Sequence, residues 1–177
     1  MKSTYYITGE ITPAIANQFF WLVGEDTIDD VVISSPGGDI GLTYGMFDVI
    51  KFNGIDTHVV GVAASAAAVL LQAGVRRTMT NSSLLLFHEP GEKMTDAEFR
   101  LHSQLVEMVA QRAKMEVIEA HGLFDNKFIN ANQALQLGLI DEIAEDAKWM
   151  RWIKNGRIDN DVEGSGGKSE GDGTSQS

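Results

Sequence analysis

The stretch VVISSPGGDIGLTYGMF, Val31 to Phe47, decides the fold. Val31 to Ser34 fits a buried strand. From Leu42 to Phe52 the apolar residues Leu42, Met46, Phe47, Val49 and Ile50 recur at helical spacing, and Gly54 can stop that helix. Between them lies Ser34-Ser35-Pro36-Gly37-Gly38-Asp39. A plain turn needs one glycine at most. Two adjacent glycines leave the backbone bare where something approaches it closely.

Outward from this unit, the same alternation continues. Tyr5 to Thr8 is predicted as a strand, and Thr12 with Pro13 opens a helix through Phe19, Phe20 and Leu22. Thr57 to Ala63 is predicted as a strand, followed by a small-residue helix from Ser65 to Ala73 that Gly74 stops. Arg77 to Thr80 and Leu84 to Phe87 are predicted as short strands around an Asn-Ser-Ser turn. Thr95 to Glu98 is a capping box for one long helix to about Ala120. Asn130 to Gln133 is a second capping box, for a short helix ended by Gly138. Leu139 to Ile143 is predicted as the last strand, and Trp149, Trp152 and Ile153 as a final short helix. Strands alternating with helices indicate an α/β fold with a largely parallel sheet.

The chain has 177 residues, 44% hydrophobic, enough for one domain with a sizeable core. We assign that domain to residues 1–157. From Asp159 on, the chain is nearly all Gly, Ser and acidic residues, so 158–177 is expected to be a disordered tail. The formal net charge of −11 argues against a nucleic-acid binder, which needs clustered Lys and Arg. With no cysteine, disulfides, thiol catalysis and Cys-based metal sites are excluded. No signal core and no apolar run of membrane-spanning length is evident. The expected location is the cytoplasm, a host's in the case of a viral homologue. Nothing in the sequence calls for a cofactor or a metal.

In sheets of this class, sites gather at the carboxyl ends of strands. Three segments qualify. Ser65 follows a strand at a helix start, among Ala63, Ala64, Ala66, Ala67 and Ala68, where small neighbours leave room for a substrate and unpaired helix N–H groups favour developing negative charge. Serine is also a common helix cap, and on this stretch alone that reading leads. His88 leaves an apolar strand and suits a general base for a serine, although a lone histidine is more often structural. Gly37 and Gly38 can present bare N–H groups to an oxyanion, or simply close a βα turn. The other histidines are less suited: His58 begins a strand, His102 lies within the long helix and His121 at its end.

ISSPGGDI (33–40), GVAASAAAVLLQAG (61–74) and NSSLLLFHEP (81–90) resemble the three signature segments of the caseinolytic (Clp) protease proteolytic subunits, and ANQALQLGLIDEI (131–143) resembles the segment after that family's long helix. The resemblance runs from about Ser3 to Ala144. It implies the ClpP/crotonase-like spiral of ββα units with a long protruding helix. It implies a serine endopeptidase acting on peptides or unfolded protein, with Ser65 as nucleophile, His88 as base, and an oxyanion hole from the N–H groups of Gly38 and Ala66. It also implies self-association into heptameric rings, stacked in pairs through the long helix, and an AAA+ unfoldase as partner.

Several positions depart from the family pattern. Counting back from ANQALQLGLID, the third catalytic position falls on Asn126, with Asp125 beside it. Asn126 can orient the imidazole but carries no charge, and a one-residue shift would bring Asp125 there instead. Asp141 follows the Gly-Leu-Ile strand and is read as structural. Asp39 stands where the family usually has an apolar residue, and a carboxylate beside an oxyanion hole disfavours negative charge unless it points outward or is paired. The chain begins almost at the first strand, and the stretch after His88 is short, which weakens the expectation of an unfoldase partner and a double ring. A catalytically impaired Clp-like scaffold subunit of a mixed ring is the alternative. A crotonase-type acyl-CoA enzyme is a third reading, which the Ser65 and His88 segments disfavour.

Overall fold

A computed structural model describes residues 3–89 and 94–145. The expected helix at Trp149 to Ile153 and the tail lie outside these. Strands β1 (Thr4–Thr8), β2 (Asp30–Ser35), β3 (Asp56–Ala64), β4 (Arg77–Thr80) and β7 (Glu142–Ala144) pair side by side, all parallel, in the order β1-β2-β3-β4-β7. Strand β5 (Leu84–His88) runs parallel to β3 as well, and β6 (Asp125–Asn130) adds antiparallel to β5. The helices are α1 (Pro13–Gly24), α2 (Ile40–Asn53), α3 (Ala66–Leu71), α4 (Asp96–Ala113), α5 (Val117–Leu123) and α6 (Ala131–Gln136).

Strand β3 changes partner along its length. Thr57–Val59 pair with β4, whereas Val62–Ala64 pair with β5. Gly61 lies between the two sets at φ +83°, a conformation that suits glycine. Its N–H donates to Ser83 Oγ at 2.9 Å, and Ser83 in turn reaches Val59 O at 3.2 Å. The Asn-Ser-Ser turn therefore braces a branch point. The strands on either side of it, β4 and β5, do not pair with each other; both pair with β3.

The core forms where the helices cover this sheet. Phe19, Met46, Ile50, Ile7 and Ile33 are fully buried, and all six residues of α3 are buried. Small side chains let α3 sit that deep. At Gly74 a Cβ would lie 2.1 Å from Thr57 Oγ1, so the glycine after α3 serves close packing against β3.

Three expectations need correction. The helix from Thr95 ends at Ala113, not Ala120: Lys114 is left-handed (φ 56°), and a new capping box, Glu116 with Glu119, starts α5. The last strand is Glu142–Ala144 rather than Leu139 to Ile143, because Leu139 and Ile140 are buried ahead of it in the connection. Strand β6 was not anticipated, since DNKFIN exposes every residue but Ile129 and lacks strand patterning. The N-terminal capping boxes at Thr95 and Asn130 are as expected.

Asp141 is structural. Its carboxylate receives Arg77 Nη2 at 2.6 Å and Arg77 Nε at 3.1 Å, while Arg77 Nη1 donates to Gln72 Oε1 at 2.7 Å. Arg77 is only 4% exposed, so its charge depends on that partner. Burial alone would push the Asp141 carboxyl up, but hydrogen bonds from Arg77 hold it below the ordinary carboxylate value. A lowered carboxyl contributes stability above its unfolded value and loses it as pH falls through the folded one. Asp141→Ala is therefore expected to cost about 2 kcal/mol at pH 7, the full cost of an unpaired buried charge being reduced by the partial exposure of Asp141. The loss should shrink below pH 4 in urea melts.

Candidate functional site

The carboxyl ends of β2, β3 and β5 lie side by side, and the three candidate segments leave the sheet there. Ser65 follows β3 with φ 56° and ψ −128°, a backbone that side chains other than glycine rarely adopt. Its N–H donates to Leu86 O at 2.7 Å, which anchors the turn to β5 two residues before His88. Ser65 makes no side-chain capping bond to α3, and its backbone is not the extended form that caps use. The cap reading, favoured on sequence alone, does not hold.

Gly37 packs directly on this turn. A Cβ there would lie 2.8 Å from Ala64 O, 2.9 Å from Ser65 Cβ and 3.1 Å from Ala66 N. Gly38 is equally constrained from the other side, where a Cβ would lie 2.4 Å from Ile11 O. Ile11 N–H donates to Gly37 O (2.8 Å) and Asp39 N–H to Ile11 O (3.1 Å), which leaves the Gly38 N–H outside that bridge. The two glycines thus let one chain segment pass between Ile11 and Ser65. Asp39, which beside an oxyanion hole demanded an explanation, caps α2: its Oδ1 accepts from Leu42 N at 2.8 Å, and the residue is exposed.

His88 ends β5, half-buried, with Nδ1 2.9 Å from Glu89 O. A tautomer that donates from Nδ1 to that carbonyl leaves Nε2 with its lone pair. Ser65 Oγ and His88 sit on adjacent strand ends without a hydrogen bond between them. On its other side His88 shares a cavity with Glu89, His121, Gly122, Phe124, Asp125 and Asn126. Asp125 stands opposite His88 in the β5–β6 ladder. Both of its carboxylate oxygens turn to Lys127, one accepting the backbone N–H at 3.1 Å and the other the ammonium. The bond from the ammonium, foremost, holds the Asp125 carboxyl below the ordinary value. Asn126 has left-handed backbone (φ 67°) and an exposed side chain.

The remaining histidines divide. His58 is buried in β3, with Nδ1 2.8 Å from Thr78 Oγ1 and Nε2 3.1 Å from Asp30. His102 is buried on the inner face of α4, and burial pushes its imidazole below the ordinary histidine value against an opposing pull from Glu89. His121 flanks the cavity of His88, a placement that sequence position at a helix end did not indicate. The buried stripe His102, Leu105, Val106, Val109 was the signal that His102 faces inward.

Residues 3–147 match the family model described as Clp protease. The chain is 31% identical to the ATP-dependent Clp protease proteolytic subunit 2 of Chlamydia trachomatis, over 78% of this chain and 79% of the relative. It is 32% identical to the ATP-dependent Clp protease proteolytic subunit 1 of Chlamydia felis, with the same coverage. Among solved structures, the ClpP protease catalytic domain from Plasmodium falciparum superposes with a TM-score of 0.72 at 26% identity, covering 80% of this chain and 85% of that one. The signature segments, the parallel sheet and the helices agree with these matches, and the chain belongs to the Clp protease family.

Proposed function

We propose that the protein is a serine endopeptidase that cleaves peptides and unfolded polypeptide through an acyl-enzyme. The observation that carries this is the Ser65 turn, strained, uncapped and pressed against Gly37 at the end of β3. Ser65 Oγ attacks the peptide carbonyl and His88 Nε2 takes its proton. The N–H groups of Gly38 and Ala66 hold the oxyanion. The imidazolium then protonates the leaving amine. A water, deprotonated by His88, attacks the ester and releases the acid, restoring Ser65. An extended substrate adds as a strand along the Gly37-Gly38 segment. The third member is Asn126 or Asp125, and Asn126 is preferred because both Asp125 oxygens are engaged by Lys127; either side chain has to replace the Glu89 carbonyl at His88 Nδ1.

A fluorophosphonate probe tests this. Wild type is expected to be labelled on Ser65 at neutral pH, and Ser65→Ala and His88→Ala to lose labelling. The missing Ser65–His88 hydrogen bond and the uncharged Asn126 favour a second reading, a scaffold subunit without turnover. Wild type that is neither labelled nor able to cleave a small peptide would establish that instead. Self-association into rings belongs to the same proposal: α4 exposes Phe99 (58%) and Leu101 (39%), apolar surface suited to a subunit contact. Sedimentation velocity should show a species of seven or fourteen chains. The Chlamydia relatives are named as ATP-dependent, and an ATP-driven unfoldase as partner of this chain is tested by whether one accelerates protein degradation over peptide cleavage.

A further inference from the structure

Next to His88, three side chains from three elements converge. One donor atom each from Glu89, His102 and His121 lies within 4.8 Å of the other two. Glu89 follows β5, His102 comes from α4 and His121 from α5. The Glu89 carboxylate is already 3.6 Å from His121 Nε2. His102 is only 3% exposed, and its Nε2 is buried with no hydrogen-bond partner. A buried imidazole with an unpaired nitrogen carries an unrecovered desolvation cost, which a ligand can remove.

We propose that Glu89, His102 and His121 form a binding site for a divalent first-row transition ion, Zn2+ by the chemistry of its donors. Two imidazoles and a carboxylate suit Zn2+, whereas Mg2+ and Ca2+ select all-oxygen sets. Tetrahedral Zn2+ with bonds of about 2.0–2.1 Å places its donors about 3.4 Å apart. The Glu89–His121 spacing is close to that, and both of these side chains are exposed and able to adjust. The half-open arrangement leaves a fourth position for water, so the ion exchanges with solvent. Among the described residues, the other cluster of this type, Asp30, Asp56 and His58, offers no comparable opening, because both His58 nitrogens already have partners.

An ion at Glu89 clasps the end of β5 to α4 and α5, and fixes the residue whose carbonyl meets His88 Nδ1. None of the three ligands is Ser65, so binding is measured on Ser65→Ala protein, where no acyl transfer takes place. Failure of the peptidase reading then leaves the metal result standing, and the reverse. The chelator-treated full chain is titrated with Zn2+ by calorimetry, with Co2+ absorption reporting the ligand field. Expected are one ion per chain, tetrahedral Co2+ bands, and a rise in Tm of about 5 °C at a hundredfold excess over Kd. His121→Ala and Glu89→Gln, both exposed positions, should each weaken binding about tenfold or more. His102→Leu, which refills the buried space, should abolish it. Substoichiometric binding, or Zn2+ affinity unchanged in His121→Ala and Glu89→Gln, overturns the site.

Discussion

Ser65→Gly is expected to abolish peptidase activity and make the protein more stable. In the proposed mechanism, loss of the nucleophile lowers kcat/KM by about 10⁴ or more, the residual rate coming from the oxyanion donors and substrate binding. The gain in stability has a separate cause. Ser65 holds φ 56° and ψ −128° against its own Cβ, strain of about 1–3 kcal/mol that glycine does not experience. Glycine adds about 0.5–1 kcal/mol of chain entropy to the unfolded state, so the net gain is about 1 kcal/mol. For a chain of this size that raises Tm by about 3 °C. Since Ser65 makes no capping bond, nothing is lost in exchange. Ser65→Ala separates the two effects: it should be as inactive as the glycine variant while retaining the strain and melting with wild type. Peptide hydrolysis and calorimetry on the three proteins decide the matter. A glycine variant that melts below the alanine variant would show that the turn is not strained.

Asn126→Asp should raise kcat by about a hundredfold. An amide can fix an imidazole ring but supplies no charge to the imidazolium that, in the proposed mechanism, forms as Ser65 gives up its proton, whereas a carboxylate does both. Asp125 is not expected to supply that charge, because it is bound on both oxygens within its own turn to Lys127. Asp125→Asn should accordingly change kcat less than about threefold. Burst kinetics with a chromogenic ester separate acylation from deacylation in each variant. If Asp125→Asn were nearly inactive and Asn126→Asp neutral, the register that sets Asp125 opposite His88 would identify Asp125 as the third member.

The sequence exposed the helix starts and the βα units because both are local. Thr12, Thr95 and Asn130 accept from N–H groups three residues on, and Gly54 ends α2 in the left-handed form. Such features need only neighbours along the chain. Strand β6 was not legible because its pairing comes from β5 rather than from its own polar side chains. Nor was the end of α4, where Gly138 approaches Ala113 so closely that a Cβ would meet its carbonyl at 2.8 Å.

The site divides the same way. Sequence alone set Gly37-Gly38, Ser65 and His88 each at a strand end, since an apolar run followed by small or polar residues determines where a strand stops. It also determined the acidic, cysteine-free character of the chain. Only the tertiary structure decided that Ser65 is strained and makes no side-chain cap, because that depends on Gly37, just beyond β2, and Leu86 of β5 meeting the turn. Asp39, by contrast, caps α2 through the N–H of Leu42 three residues on, a bond as local as those of Thr12, Thr95 and Asn130. Glu89, His102 and His121 are 13 and 19 residues apart, and what brings them together is the packing of α4 and α5 over the end of β5. Contacts at that separation arise from burial of the whole core, which no local pattern encodes.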